Sequence, residues 1–272
     1  MAYPTVSAPY GFKPVSLIGG QVFAGSTRDY PIQYNYGTAI YYGDFVTTAS
    51  GYTVIATVPV STTNTTTGVF LGCYYTNPTT KQRQYSQYYP GNVTAGDITA
   101  IVGDDPDQVF RCAVTAAAGS TTIASASSIL VGQNMAGNTL VGSASTGNGA
   151  GAVVAATANT SGGGFRVLGL VPDTEISTSA TYVSGTGTTS LVVSGLTVGQ
   201  YIPIGTDVFN LVNGQLQFTG SSTTAASTVT TTGSTTLTVV ASTATVAGTV
   251  ALVQAPEVLV KLNFGAHRYY VA

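Results

Sequence analysis

The chain has 272 residues and a mass of 27.5 kDa, long enough to bury one large core or two small ones. Only 7 % of its residues are Lys, Arg, Asp or Glu while 44 % are apolar, against about 25 % charged in an ordinary soluble domain. With 17 Tyr and 9 Phe to bury, a disordered chain solvated by its own charge is excluded.

Net charge is -2 and the isoelectric point about 5.1, which gives no field favouring a nucleic-acid backbone, so no nucleic-acid partner is expected. So little charge also gives little like-charge repulsion, and permanent assembly with other copies, as a dimer or trimer, is the expectation. Residues Met1 to Pro14 lack a basic stretch ahead of an apolar one, and no apolar run approaches the roughly 18 residues of a span. Neither a signal peptide nor a membrane partner is expected.

Taken in chain order, residues 1–30 read as an extended arm. Prolines at 4, 9 and 14 exclude a helix in Ala8-Pro-Tyr-Gly-Phe-Lys-Pro-Val15. Tyr52 to Val60 is the first strand candidate. Gly68-Val-Phe-Leu-Gly-Cys-Tyr-Tyr75 is the second, with Val69, Leu71, Cys73 and Tyr75 on one face, and Asn77-Pro78-Thr79 follows as a turn. Ile98 to Val102 and Gln108 to Val114 flank the acidic Gly103-Asp-Asp-Pro-Asp107 and read as strand, turn, strand. The glycine-rich stretch 134–164 reads as an irregular loop, because ordering it is costly in entropy. Phe165 to Val171 is a further strand.

From 183 to 252 the chain is rich in Thr, Gly and Ser. Gly187-Thr-Thr-Ser-Leu-Val-Val193 and Gly233-Ser-Thr-Thr-Leu-Thr-Val239 share a Gly turn opening a Thr-rich strand. Two such units fall short of the three or so that a solenoid needs, so an inserted small β-subdomain is expected. Its strands are Leu191 to Val193, Tyr201 to Ile204, Asp207 to Leu211, Gly214 to Phe218 and Leu237 to Val240. Glu257 to Phe264 closes the set, with Val258, Val260, Leu262 and Phe264 on its apolar face.

The period of two, the turn residues every roughly 8 to 12 positions and the absence of helical periodicity predict an all-β chain with a sandwich or barrel body. Charge follows this division. No charged residue lies in 112–165 or 208–256, which separates a conventional body (31–182 plus 253–272) from neutral excursions.

Catalytic constellations are absent. His267 is the single histidine, so a two-histidine metal site within one chain is impossible, and no Gly-x-Ser-x-Gly elbow occurs. Asp104, Asp105 and Asp107 have the wrong spacing for a calcium loop and read as a solvated turn. Gly147-Asn-Gly-Ala-Gly151 lacks the pattern of a dinucleotide loop. The chain is expected to be no enzyme, with no metal site and no cofactor. Cys73 and Cys112 are too few for a disulfide scaffold and are expected as buried thiols. Tyr74, Tyr75, Tyr85, Tyr88 and Tyr89 surround Lys81 and Arg83, a composition suited to a protein interface, with glycan or base stacking as alternatives.

Ala8 to Val15, Leu17-Ile-Gly-Gly20 and Tyr30-Pro-Ile32 at the start, then Gly68 to Tyr75, Tyr88-Tyr-Pro-Gly-Asn92, Ile98 to Phe110, Phe165-Arg-Val-Leu-Gly169 and Val258 to Arg268, carry a resemblance. Over about half of the chain this pattern resembles the capsid decoration, or cement, proteins of tailed bacteriophages. The resemblance implies a non-enzymatic β-rich protein on the outer surface of the virion, oligomeric, bound to the major capsid protein and gripping capsomers with its N-terminal arm. Tyr10, Phe12 and Lys13 in the arm and Tyr85, Tyr88 and Tyr89 near the turn are the residues expected at that contact. The segment 183–252 departs from the shorter family pattern and is expected to project outward. A tail, neck or fibre protein and a surface module that binds host or glycan are the alternative roles.

Overall fold

The computed structural model describes residues 6–56, 66–124, 126, 130–159, 162–174, 176–184, 190–195, 207–212, 215–222, 235–241 and 249–263. The first part of the chain forms β1 (Lys13–Leu17), β2 (Arg28–Pro31), β3 (Phe45–Ala49), β4 (Tyr52–Ile55), β5 (Gly68–Thr76), β6 (Arg83–Ser86) and β7 (Thr99–Gly103). Next come β8 (Gln108–Thr115), β9 (Asn134–Asn138), β10 (Ala152–Asn159) and β11 (Phe165–Leu170). The chain continues through β12 (Ile176–Ser184), β13 (Ser190–Ser194), β14 (Asp207–Val212), β15 (Gln215–Ser222), β16 (Thr235–Ala241), β17 (Thr249–Gln254) and β18 (Glu257–Leu262). No α-helix occurs among the described residues; a 3-10 turn spans Pro172–Thr174. The chain is all-β, as its periodicity predicts.

Three sheets organise these strands. In the first, β8, β10, β9, β11 and β18 run edge to edge, and β18 pairs back onto β8, closing a five-stranded barrel; β1 adds to the free part of the β8 edge. A barrel this narrow has an interior filled by side chains. The second sheet has the order β2-β7-β5-β3-β4, with β6 on β5. The third is a closed six-stranded barrel, β12-β13-β16-β15-β14-β17. Its chain leaves the body after β11 and returns at β18, and those two strands pair with each other from Phe165↔Leu262 to Leu170↔Val258. The barrel therefore hangs on a hairpin-like connection. It begins at Ile176 and ends at Gln254, outside the 183–252 expected, because after Ile176 the first half of β12 is Ser177-Thr-Ser-Ala-Thr181, small and mostly polar residues that carry no apolar alternation. Tyr201 to Ile204 of the expected strands lies outside the described residues.

Two apolar cores lie on either side of β5. One joins the interior of the five-stranded barrel to the second sheet: Phe110, Met135, Val153, Phe165, Val167, Val258 and Val260 meet Phe12, Phe45 and Val69. The other, on the far face, gathers Ile32, Ile40, Val46, Phe70, Cys73, Tyr75, Tyr89, Ile98 and Val102. Strand β5 serves both through a bulge. The register slips between Phe70 and Gly72, where Gly72 takes φ 143°, a region that favours glycine. Val69 thus faces the first core and Cys73 and Tyr75 the second, so the single apolar face expected for Val69, Leu71, Cys73 and Tyr75 does not form.

Three other expectations change. Residues 134–164 are not an irregular loop. They supply β9 and β10, whose Met135, Val153 and Val154 are buried, and burial of small apolar groups in a closed barrel offsets the ordering entropy. The acidic segment after β7 is no hairpin turn either, because β7 and β8 belong to different sheets. Finally, the described part of 1–30 is no free arm. The Gly11 N–H donates to the Gly151 carbonyl, the Phe12 N–H donates to the Gly43 carbonyl, and β1 pairs with β8. Pro14 is tolerated there because β1 is an edge strand that need not donate at every residue.

Candidate functional site

The six residues expected at a capsid contact scatter. Phe12 is fully buried, its ring 4.3 Å from Phe45 and 4.8 Å from Phe165. Tyr89 is also fully buried, and its hydroxyl donates to the Tyr36 carbonyl at 2.8 Å. These two are corrected from interface to core: large rings gain more by leaving water inside the fold than by waiting for a partner. Tyr88 is half-buried and stacks on Tyr41 with centroids 5.5 Å apart. Tyr10 is half-buried and turned inward. Lys13 sits over its ring, Nζ 5.1 Å from the centroid. Tyr85, 68 % exposed, remains on the surface.

Tyr10 turns inward because of Glu257. This carboxylate is buried at the start of β18, and it accepts hydrogen bonds from the Tyr10 hydroxyl and from Arg111 Nε and Nη2. Burial, then the bond to Glu257, raises the Tyr10 hydroxyl well above its ordinary value, and the same carboxylate raises Arg111. A buried carboxylate needs such partners. The cluster fastens residues 8–17 to the barrel at the point where the chain returns from the insertion, so its work is structural.

The exposed cluster belongs to the β5–β6 hairpin. Asn77 closes its turn: Oδ1 accepts from the Thr79 and Thr80 N–H groups at 2.9 and 3.2 Å, and Lys81 takes φ 58°. Register then sets Tyr74 opposite Tyr85, ring centroids 5.4 Å apart. The Arg83 guanidinium lies 4.2 Å from the Tyr74 centroid and 5.6 Å from that of Tyr85, and the Tyr74 hydroxyl donates to Asp29 Oδ2 at 2.8 Å. Tyr and Arg held rigidly on a strand pair are the residue types that dominate binding energy in protein interfaces. Asp29 escapes sequence reading because only the pairing of β2 with β7 brings it near. A second exposed stretch flanks β1, where Val15, Ile18 and Val22 are exposed, Val22 at 78 %.

The three aspartates of the acidic turn diverge. Asp104 is buried and accepts from the Tyr30 hydroxyl at 2.7 Å, with Arg28 Nε at 3.5 Å; burial and Asp104 push the Tyr30 hydroxyl up to about 12. Asp105 accepts from Ser26, and Asp107 pairs with Lys261 at 3.5 Å. Among the described residues no group of three His, Cys, Asp or Glu side chains is placed to hold a metal ion. Cys73 and Cys112 are buried free thiols, Cys73 pushed up to about 12 by burial. His267 lies outside the described residues.

No family model matches the chain, and neither a curated protein nor a solved structure matches it.

Proposed function

We propose that this chain is a virion structural protein that binds the outside of the major capsid lattice of a tailed bacteriophage and bridges neighbouring subunits. The observation that carries the reading is the exposed Tyr74–Arg83–Tyr85 cluster on a hairpin rooted between two cores. It supplies rigid aromatic and guanidinium contacts on an exposed strand pair. The resemblance of the charge-bearing body to decoration proteins supports the same reading, as does the low charge of a chain suited to permanent assembly.

The mechanism is mechanical. A bridge that buries about 1,000 Å² or more across two subunits couples their separation to loss of that contact, and so resists expansion of the shell. The contact residues are revised accordingly: Arg83, Tyr85 and the exposed edge of Tyr74 meet the lattice, whereas Phe12 and Tyr89 hold the framework behind them. Self-association into a dimer or trimer and outward projection of the six-stranded barrel belong to the same reading. Cosedimentation of the purified chain with empty shells tests it. Saturable binding that Arg83→Ala with Tyr85→Ala weakens is the expected result; absence of the chain from the shell pellet at any concentration overturns it.

A further inference from the structure

A cavity of about 300 Å³ lies between the 38–44 segment, the end of β4 and loop residues 139–142. That is the lower end of the range for small-molecule sites. Its walls are mostly apolar, from Ala39, Ile55, Ala56, Leu140 and Val141. One charged residue is in its lining, Asp44, only 2 % exposed. Asp44 Oδ2 accepts the Tyr41 N–H at 2.9 Å, and Gly149 packs so closely on Oδ1 that a methyl group there would overlap it.

Among the described residues no cation compensates this carboxylate. The lining holds no Lys, Arg or His. The titratable groups on the packed elements are Tyr41 and Tyr42 on its own segment, Tyr88 stacked on Tyr41, Tyr36, whose hydroxyl accepts the Ile55 N–H, Tyr52 at the far end of β4, Tyr10 and Lys13 on either side of the Gly11–Phe12 segment that packs on Gly43, with the Lys13 Nζ over the Tyr10 ring, and Cys73, Tyr74 and Tyr75 farther along β5. Strand β3 and residues 139–151 carry none, and residues 57–65 contain no charged residue. A buried carboxylate without a counter-charge is expensive, and a site that holds one is complementary to a cation that brings its own apolar surface.

We propose that this cavity is a receptor for a lysine side chain of a partner polypeptide, with the ammonium at Asp44 and the aliphatic stem against Ile55, Leu140 and Val141. The partner is defined by that chemistry alone, so the inference stands apart from the capsid reading. Burial pushes the Asp44 carboxyl up to about 7, so ammonium binding strengthens as the group ionises and fades in acid, and a bound ammonium pulls the carboxyl back down.

The test titrates Nα-acetyl-lysine N-methylamide into the full chain at about pH 8 and about pH 5, a bracket set by the ordinary and raised carboxyl ranges, with the norleucine analogue as the uncharged control. The Asp44 carboxyl carbon is followed by NMR. The expected result is saturable binding at the higher pH, at least about tenfold weaker in acid and for the norleucine analogue, as the loss of a charge-assisted hydrogen bond implies. Asp44→Asn, which keeps the acceptor for the Tyr41 N–H, and Ala39→Leu, which fills the cavity and leaves the charge, should each abolish it. Equal binding of the two analogues, unchanged binding in a natively folded Asp44→Asn or Ala39→Leu chain, or no shift of the Asp44 signal at saturating lysine analogue overturns the proposal.

Discussion

Phe12→Ala separates a core role for the N-terminal segment from an arm role. The ring is fully buried among Phe45 at 4.3 Å, Phe165 at 4.8 Å and Phe110 at 6.4 Å. Truncating a buried Phe costs about 3 to 5 kcal/mol, and each good aromatic pair contributes about 0.5 to 1.5 kcal/mol of its own. Three ring neighbours and backbone anchors on both Gly11 and Phe12 leave the cavity little room to collapse, so a loss of about 4 kcal/mol is expected. That is a large share of the roughly 5 to 15 kcal/mol that holds a domain folded. Equilibrium urea unfolding of the isolated chain, followed by near-ultraviolet circular dichroism of the tyrosines, reads it as a lower midpoint at unchanged slope. Phe12→Leu should recover more than half of the loss. A change below about 0.5 kcal/mol, the level of an ordinary surface substitution, would place the ring outside the core and refute the assignment.

Other substitutions address other parts of the fold. Asp44 has an ordinary carboxyl value of 3.8 and a folded one of about 7, so between those values the folded chain holds a proton that the unfolded chain has released. Stability therefore falls as pH rises through that window, by an amount on the order of 4 kcal/mol. Asp44→Asn should flatten the profile and stabilise the chain above about pH 7; thermal melts across the range check it, and a wild-type profile that rises with pH would contradict it. Arg111→Met leaves the buried Glu257 with Tyr10 alone and should cost about 3 kcal/mol in urea unfolding. Tyr10→Phe, which deletes one donor to the same carboxylate, should cost about 1 to 2 kcal/mol. Tyr85→Ala should alter the melting temperature of the free chain by no more than a degree or two, since exposed substitutions are worth within about 0.5 kcal/mol, while weakening shell binding.

Several strands were legible because a period of two is local information. Val258, Val260 and Leu262 alternate in β18 and are buried in the structure, and Phe165 and Val167 alternate in β11 in the same way. Closure was not legible. That β18 pairs with β8 and β11 together, or that β7 and β8 part into different sheets, depends on contacts between residues distant in sequence. The bulge at Gly72 inverts the parity of β5 midway, which no alternation rule anticipates. Strands β9 and β10 were missed because Asn, Gly and Ala disfavour strands in isolation, and tertiary burial outweighs that preference.

The site was legible in part. Tyr85 and the cationic Arg83 stand out in the sequence as an aromatic run around basic residues. Phe12 and Tyr89 carry the same residue types, and nothing in the linear pattern distinguishes a ring that packs inward from one that waits for a partner. Asp44 gave no signal at all, because its burial arises where residues 147–151 fold across the 41–44 turn, with hydrogen bonds such as Gly149 N–H to the Tyr42 carbonyl.

The most direct measurement for the capsid reading is a density map of the assembled particle that contains this chain. The reading predicts many copies on the outer lattice at local symmetry positions, with the β5–β6 hairpin against capsid subunits and the six-stranded barrel directed away from them. A few copies confined to the tail or neck, or a hairpin that faces solvent on every copy, would contradict it.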